Sequence, residues 1–300
     1  MNKIKFTSNL SILLRMLRVK QWVKNILIVV PLFTSQKIQE PIYFNKMLLS
    51  VFAFCLCSSS VYIINDIIDI KNDRNHPIKK YRPFASGEVS TKKGIIVVPL
   101  LLLSCLLLSL KVNKNYLILL IFYFLISSIY SIFIKKIKNV DCFTLATLYT
   151  MRIIAGGYAF NVAISSWLLT FSFFIFLSLA YLKRFAELKY HKGKGLPGRG
   201  YSIEDLGIVK RTGVISGIIS SVIMSLYAND EFIKNQYLEP QYIWLTVPTI
   251  VIWITNMWSD ANRGKMQSDP LEYAIKDKLS ILSGVIFVAC FILAMRGLPG

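Results

Sequence analysis

An all-helical protein spanning a membrane many times is the fold class this sequence predicts, on three observations. Its apolar residues fall in repeated blocks of membrane-spanning length, 54% of its 300 residues are hydrophobic against 17% charged, and its mean hydropathy is +0.53. A globular domain carries about 25% charged residues, so a soluble enzyme of one or two domains is excluded. The net charge of +19 would also suit a nucleic-acid binder. Its Lys and Arg, however, lie between apolar blocks and not along one polar face, so the expected partner is the lipid bilayer and no nucleic acid. Cys55, Cys57, Cys105, Cys142 and Cys290 lie inside or at the edge of those blocks. They have neither zinc-ligand spacing nor a disulfide framework, and read as small core hydrophobes.

A helix needs about 20 apolar residues to cross the hydrocarbon core. Nine candidate spans follow: residues 22–33, 47–64, 94–110, 116–134, 142–160, 167–182, 212–228, 242–257 and 279–295. The first is short and has Pro31 near its end. Ahead of it, Leu10, Leu13, Leu14 and Leu17 recur at helical spacing with Arg15, Arg18 and Lys20 between them. That pattern predicts an interfacial amphipathic segment within residues 1–21. No cleavable signal peptide is expected, and residues 1–300 read as a single transmembrane domain.

Nine spans put the termini on opposite sides. With the N-terminus in the cytoplasm, 28 Lys and Arg fall on the cytoplasmic side, counting Lys24 near the start of the first span, and six on the other, and Arg152 lies within the fifth span. Such an excess marks the cytoplasmic side. Twelve of the sixteen carboxylates fall there as well. The expectation is a multi-pass protein of the cytoplasmic membrane whose polar cavity faces the cytoplasm.

The second span ends in NDIIDIKND, carrying Asn65, Asp66, Asp69 and Asp73. Positions i, i+3 and i+7 share one helix face, so the three aspartates form one stripe. Carboxylates are disfavoured at a helix C-terminus, and like charges on one face repel. A solvated helix end accounts for one aspartate more simply than for three. A hard divalent cation relieves three, and Mg2+ held by few carboxylates completes its shell with phosphates. Asp66, Asp69 and Asp73 are the candidate metal ligands, with Asn65 beside them. Arg74, Lys79, Lys80 and Arg82 follow in RNHPIKKYRPFASGE, and cations there suit the rest of a polyphosphate.

NDxxDxxxD followed by HPxKxxRPxxSG resembles the UbiA superfamily of intramembrane prenyltransferases. The resemblance covers essentially the whole chain and implies nine helices, a cytoplasm-facing cavity, and Mg2+ on a diphosphate. That superfamily ordinarily carries a second aspartate-rich motif after the sixth span. Here the matching stretch reads YLKRFAELKYHKGKGLPGRGYS, and before Glu204 its one carboxylate is Glu187, among Lys183, Arg184 and Lys189. Lys183 and Arg184 stand four and three residues before Glu187, so all three are expected to converge on a helix. KRxAEL is similar to the decaprenyl-phosphate phosphoribosyltransferase branch. So are KQWVKN (residues 20–25), MRIIAGG around Arg152, and SDPLEYAIKDK (268–278), although Met151 stands where that branch leads one to expect Leu.

The resemblance implies transfer of 5-phosphoribosyl from phosphoribosyl diphosphate to a polyprenyl phosphate for furanose-containing envelope glycans. Donor and acceptor bring extra phosphates, and this site has Lys and Arg where carboxylates are expected. Candidate phosphate holders are Lys20, Lys24, Arg74, Lys80, Arg82, Arg152, Lys183 and Arg184. Arg152 lies about ten residues into an apolar span, where a charge is costly and usually functional; the plainer alternative is snorkelling to the surface. Lys outnumbers Arg 25 to 10, which fits an AT-rich genome and leaves decaprenyl and undecaprenyl phosphate as acceptors. GKGLPGRG (193–200) lacks the order of a phosphate-binding P-loop and reads as a flexible loop. His76 and His191 have no metal-spaced partner. Two rival readings are an aromatic prenyltransferase, which leaves the missing second motif unexplained, and an anion transporter, for which the charge-poor outer loops offer no exit.

Overall fold

The computed structural model describes residues 9–75, 78–190, 198–266 and 269–296, without the side chain of Phe232. Residues 1–8 of the amphipathic segment, His76, His191, residues 193–197 of the glycine-rich run and Ser268 lie outside the described residues. Every regular element among the described residues is a helix. The chain divides into two compact units, Met1–Lys135 with Met151–Ala163, and Lys136–Thr150 with Ile164–Gly300.

In the first unit, α1 (Asn9–Met16) buries Met16 and exposes Leu10, Leu13 and Leu14. A 3-10 run (Val19–Val29) leads into α2 (Val30–Thr34), with Pro31 in its first turn, where a missing N–H costs nothing. The span expected at 22–33 is therefore not one α-helix. Helix α3 (Ile42–Ile68) is buried over Ala53–Val61. Ser58 and Ser60 donate to carbonyls of their own helix at 3.0 and 2.7 Å, and Ser59 donates to the Leu17 carbonyl at 2.8 Å. Small side chains with satisfied hydroxyls let neighbouring backbone approach closely. After α4 (Ile70–Arg74) come α5 (Thr91–Val112) and α6 (Lys114–Ile132). Asn113 caps α6 by accepting from the Tyr116 N–H at 2.8 Å, and its amide donates to the Tyr158 carbonyl at 2.7 Å.

Helix α7 (Val140–Phe160) belongs to the second unit up to Thr150 and to the first from Met151. Its Gly156 has no substitute, because a Cβ there would stand 2.0 Å from the Ile28 carbonyl oxygen. In the second unit, α8 (Ser166–Tyr190) packs on α9 (Leu206–Asn229), followed by α10 (Glu231–Lys234), α11 (Gln241–Trp244), α12 (Thr246–Asn262), α13 (Pro270–Ala274) and α14 (Lys278–Arg296). Trp258 donates to Ser178 at 3.2 Å and its ring covers Gly213, where a Cβ would meet it at 2.3 Å.

Six helices among the described residues are long and apolar enough to cross a membrane: α3, α5, α6, α8, Ile203–Asn229 (which includes α9) and α14. The protein is a multi-pass membrane protein. Two other expected spans are helical but fall short on that measure. Asp141, Arg152 and several threonines dilute α7, while a break at Leu245 leaves α12 with 17 residues.

Candidate functional site

The first unit gathers charge where α3 ends. The helical ladder continues through the kink at Asp69, with the Asp69 N–H on the Asn65 carbonyl at 2.9 Å and the Asp73 N–H on that of Asp69 at 2.8 Å. Asp66 and Asp73, two turns apart, therefore face the same way. Nη1 of Arg82 donates to Asp66 Oδ1 at 3.1 Å and to Asp73 Oδ2 at 2.6 Å. Nε of Arg18 donates to Asp66 Oδ2 at 3.0 Å, and its Nη2 pairs with Oδ1. Both carboxylates are buried, at 2% and 3% exposure. Burial pushes the Asp73 carboxyl above the usual carboxylate range, against the pull of Arg82.

Asp69 does not join them. It accepts from Lys135 at 2.6 Å, and Lys135 also donates to Asn65 Oδ1 at 3.3 Å. The three-carboxylate stripe read from spacing thus divides into an Asp66–Asp73 pair and a separate Asp69–Asn65 pair on Lys135. Among the described residues no three His, Cys, Asp or Glu are grouped to hold a metal. Two hard oxygens converging on one cationic nitrogen do fit a divalent cation that takes the rest of its shell from phosphate and water.

Of the other expected cations in this unit, Lys20 and Lys80 are exposed and Lys24 is buried. Arg74 donates to the Ala85 carbonyl at 3.1 Å, and Lys80 lies over the Tyr81 ring. Arg152 is 4% exposed. Its Nε donates to Asn25 at 3.1 Å and its Nη2 to the Tyr123 hydroxyl at 2.8 Å, with the Phe54 and Tyr123 rings 5.3 and 5.1 Å from the guanidinium carbon. It is a buried, caged cation, and its guanidinium does not reach the surface as a snorkelling one would. Sequence reasoning missed Arg18 and Lys135 as partners of the aspartates. Arg18 reads as an interfacial charge and Lys135 as one more cytoplasmic cation.

The second unit holds a separate network. Arg184 is completely enclosed, with Nε on Asp141 Oδ2 and Nη1 on Glu187 Oε2, both at 2.6 Å. Asp141 also accepts from the Tyr201 hydroxyl at 2.5 Å, and that hydroxyl accepts from the Asn139 N–H at 2.8 Å. Burial and the bond to Asp141 push the Tyr201 phenol well above its ordinary range. Gly200 allows this approach, since a Cβ there would lie 2.4 Å from the Lys136 carbonyl oxygen. The convergence expected of Lys183, Arg184 and Glu187 is half realised. Arg184 meets Glu187, while Lys183 reaches Asp269 at 2.9 Å. Lys183 and Asp269 stand in a pocket with Leu145, Tyr149, Leu179 and Leu271.

Residues 28–273 match the UbiA prenyltransferase family. The chain belongs to that family. As a UbiA-family protein it is a transferase. It is 31% identical over 93% of its length to the uncharacterized protein y4nM of Sinorhizobium fredii, of which it spans 55%, and 32% identical to nodulation protein NoeC of Azorhizobium caulinodans, covering 88% of this chain and 87% of that one. It is 28% identical to decaprenyl-phosphate phosphoribosyltransferase of Corynebacterium glutamicum, over 96% of this chain and 87% of that enzyme. In fold, this UbiA-family chain is similar to a UbiA homolog from Archaeoglobus fulgidus bound to GPP and Mg2+, with a TM-score of 0.71 at 15% identity over 95% of this chain and 99% of that one.

Proposed function

We propose that this UbiA-family transferase moves 5-phosphoribosyl from phosphoribosyl diphosphate to a polyprenyl phosphate, decaprenyl or undecaprenyl, with release of diphosphate. One observation carries the reading. The end of α8 offers cations and not a second carboxylate pair: Lys183, Arg184 and Lys189 flank Glu187 along the chain, and Glu187 is engaged by Arg184. The relative named decaprenyl-phosphate phosphoribosyltransferase supports it.

Asp66 and Asp73 would hold Mg2+, with Asn65 and Asp69 beside them on Lys135, and the cation's charge would offset that gathering on the leaving diphosphate. Arg82, with Lys80 and Arg74 in the same basic segment, takes diphosphate oxygens. Lys183 takes the donor's 5-phosphate. Enclosed Arg184 works through Glu187, fixing a carboxylate that hydrogen-bonds a ribose hydroxyl. Lys20, Lys24 and Arg152 complete the supply of positive charge for the acceptor phosphate. That phosphate is ionised at neutral pH, so the chain needs no general base. We read residues 1–300 as one UbiA-like domain of nine crossings in the cytoplasmic membrane, with N-terminus and active site facing the cytoplasm.

The test is purified protein given ribose-labelled phosphoribosyl diphosphate, undecaprenyl phosphate and Mg2+. Label entering the lipid fraction with matching diphosphate release is expected. Inert phosphoribosyl diphosphate, together with prenyl transfer to an aromatic acid, would replace this reading with the quinone-pathway one. Anion flux in proteoliposomes without transfer would replace it with a transporter.

A further inference from the structure

Arg18 is a residue that neither family resemblance nor sequence spacing places at the site. It sits between α1 and the 3-10 run with a left-handed backbone, φ 51° and ψ 45°, a conformation that non-glycine residues adopt only when their surroundings hold them there. What holds it is its side chain. Its guanidinium pairs through two nitrogens with Asp66, and its carbon lies 5.0 Å from the centre of the Tyr62 ring.

Asp66 is 2% exposed, and a buried carboxylate without a counter-charge is strongly disfavoured. Arg18 and Arg82 supply that charge. The two arginines are not equivalent. Arg82 bridges Asp66 and Asp73, whereas Arg18 contacts Asp66 and no other carboxylate among its described partners. A divalent cation bound to Asp66 competes directly with Arg18 for the same two oxygens. The Tyr62 face keeps the displaced guanidinium nearby, and its fork of N–H donors matches phosphate oxygens as well as it matches carboxylate.

We propose that Arg18 is an exchanging counter-ion. It neutralises Asp66 in the metal-free protein, yields that carboxylate to the entering divalent cation, and turns its donors to the diphosphate that comes with the cation. This rests on the metal–diphosphate part of the proposed function but not on the identity of the donor.

The test uses the full chain in nanodiscs, Mn2+ as a spectroscopic probe read by electron paramagnetic resonance, and inorganic diphosphate as second ligand. Arg18→Met is expected to bind Mn2+ alone about tenfold more tightly than the unaltered chain, and to bind diphosphate in saturating Mn2+ about tenfold more weakly, the scale of one charge-assisted contact. Arg18→Lys, which keeps the charge, is expected to move both affinities back toward the unaltered values. Asp66→Asn is expected to lose Mn2+. Unchanged or weaker Mn2+ binding in Arg18→Met overturns the exchange, because a residue that merely props the fold would loosen both ligands together. If Arg18→Met does not give monodisperse protein, Arg18→Gln carries the same comparison. Mn2+ binding that is absent from the unaltered chain, or is indifferent to Asp66→Asn, overturns the metal site itself and the exchange with it.

Discussion

Arg184 and Asp141 meet at 2.6 Å with neither side chain reaching solvent. Asp141 opens α7 and Arg184 lies in the last turns of α8, so the pair ties two helix ends within the second unit. Glu187 and Tyr201 attach to it, one on each partner.

Breaking a buried pair by removing one partner costs about 3–5 kcal/mol, because the other charge is left uncompensated. Arg184→Met is therefore expected to lower the thermal midpoint in detergent sharply. Adding Asp141→Asn removes the orphaned charge and keeps an acceptor for Tyr201, so the double variant should recover most of the loss. Equal destabilisation of single and double variants would show that Asp141 is not the group that Arg184 compensates.

The carboxylates at the end of α3 should separate by role. Asp66→Asn and Asp73→Asn keep shape and lose charge, and each is expected to lower metal-dependent turnover by at least about a hundredfold, beyond the 10–100-fold typical of losing an outer-sphere partner. Asp69→Asn, whose carboxylate is engaged by Lys135, is expected to fall less. The check is turnover at saturating Mg2+ in variants whose detergent midpoints match the unaltered protein. Near-normal Mg2+-dependent activity in Asp66→Asn or Asp73→Asn would refute the pair as the metal site.

Lys183 is half-buried and pairs with Asp269, whereas Arg184 is sealed in the fold. Lys183→Gln therefore probes phosphate holding without opening the core. The KM for phosphoribosyl diphosphate should rise roughly ten- to hundredfold, the loss of one charge-assisted contact, while the KM for lipid phosphate changes much less. A rise confined to the lipid phosphate would move Lys183 to the acceptor.

The charge asymmetry makes a topological prediction. Single cysteines placed beside Asp73, Lys136, His191 and Gly264 in a Cys-free background should react with an impermeant thiol reagent from the cytoplasmic side only. Labelling of any of them from the opposite face would invert or break the proposed topology.

Much of this was legible along the chain. Apolar blocks of spanning length anticipated α3, α5, α6, α8, α9 and α14, because hydrocarbon imposes both the length and the composition of a crossing helix. The i, i+7 spacing of Asp66 and Asp73 anticipated their common direction, since a helix repeats its face every two turns and the ladder holds through Asp69. The span expected at 22–33 is a 3-10 run that passes into a short α-helix with Pro31 in its first turn, a difference that apolar content does not reveal.

What the sequence determined by itself, then, is what local periodicity and the bilayer dictate: helices, apolar blocks long enough to cross a membrane, and the common facing of Asp66 and Asp73. Only tertiary structure decided which cation answers which carboxylate. Lys135 takes Asp69 across 66 positions, Arg18 takes Asp66 across 48, Lys183 takes Asp269 across 86, and Arg184 takes Asp141 across 43. Every Lys or Arg is chemically able to pair with every carboxylate, and the energy of a pair depends on distance and burial. Those two quantities exist only once the helices that carry the charges have packed.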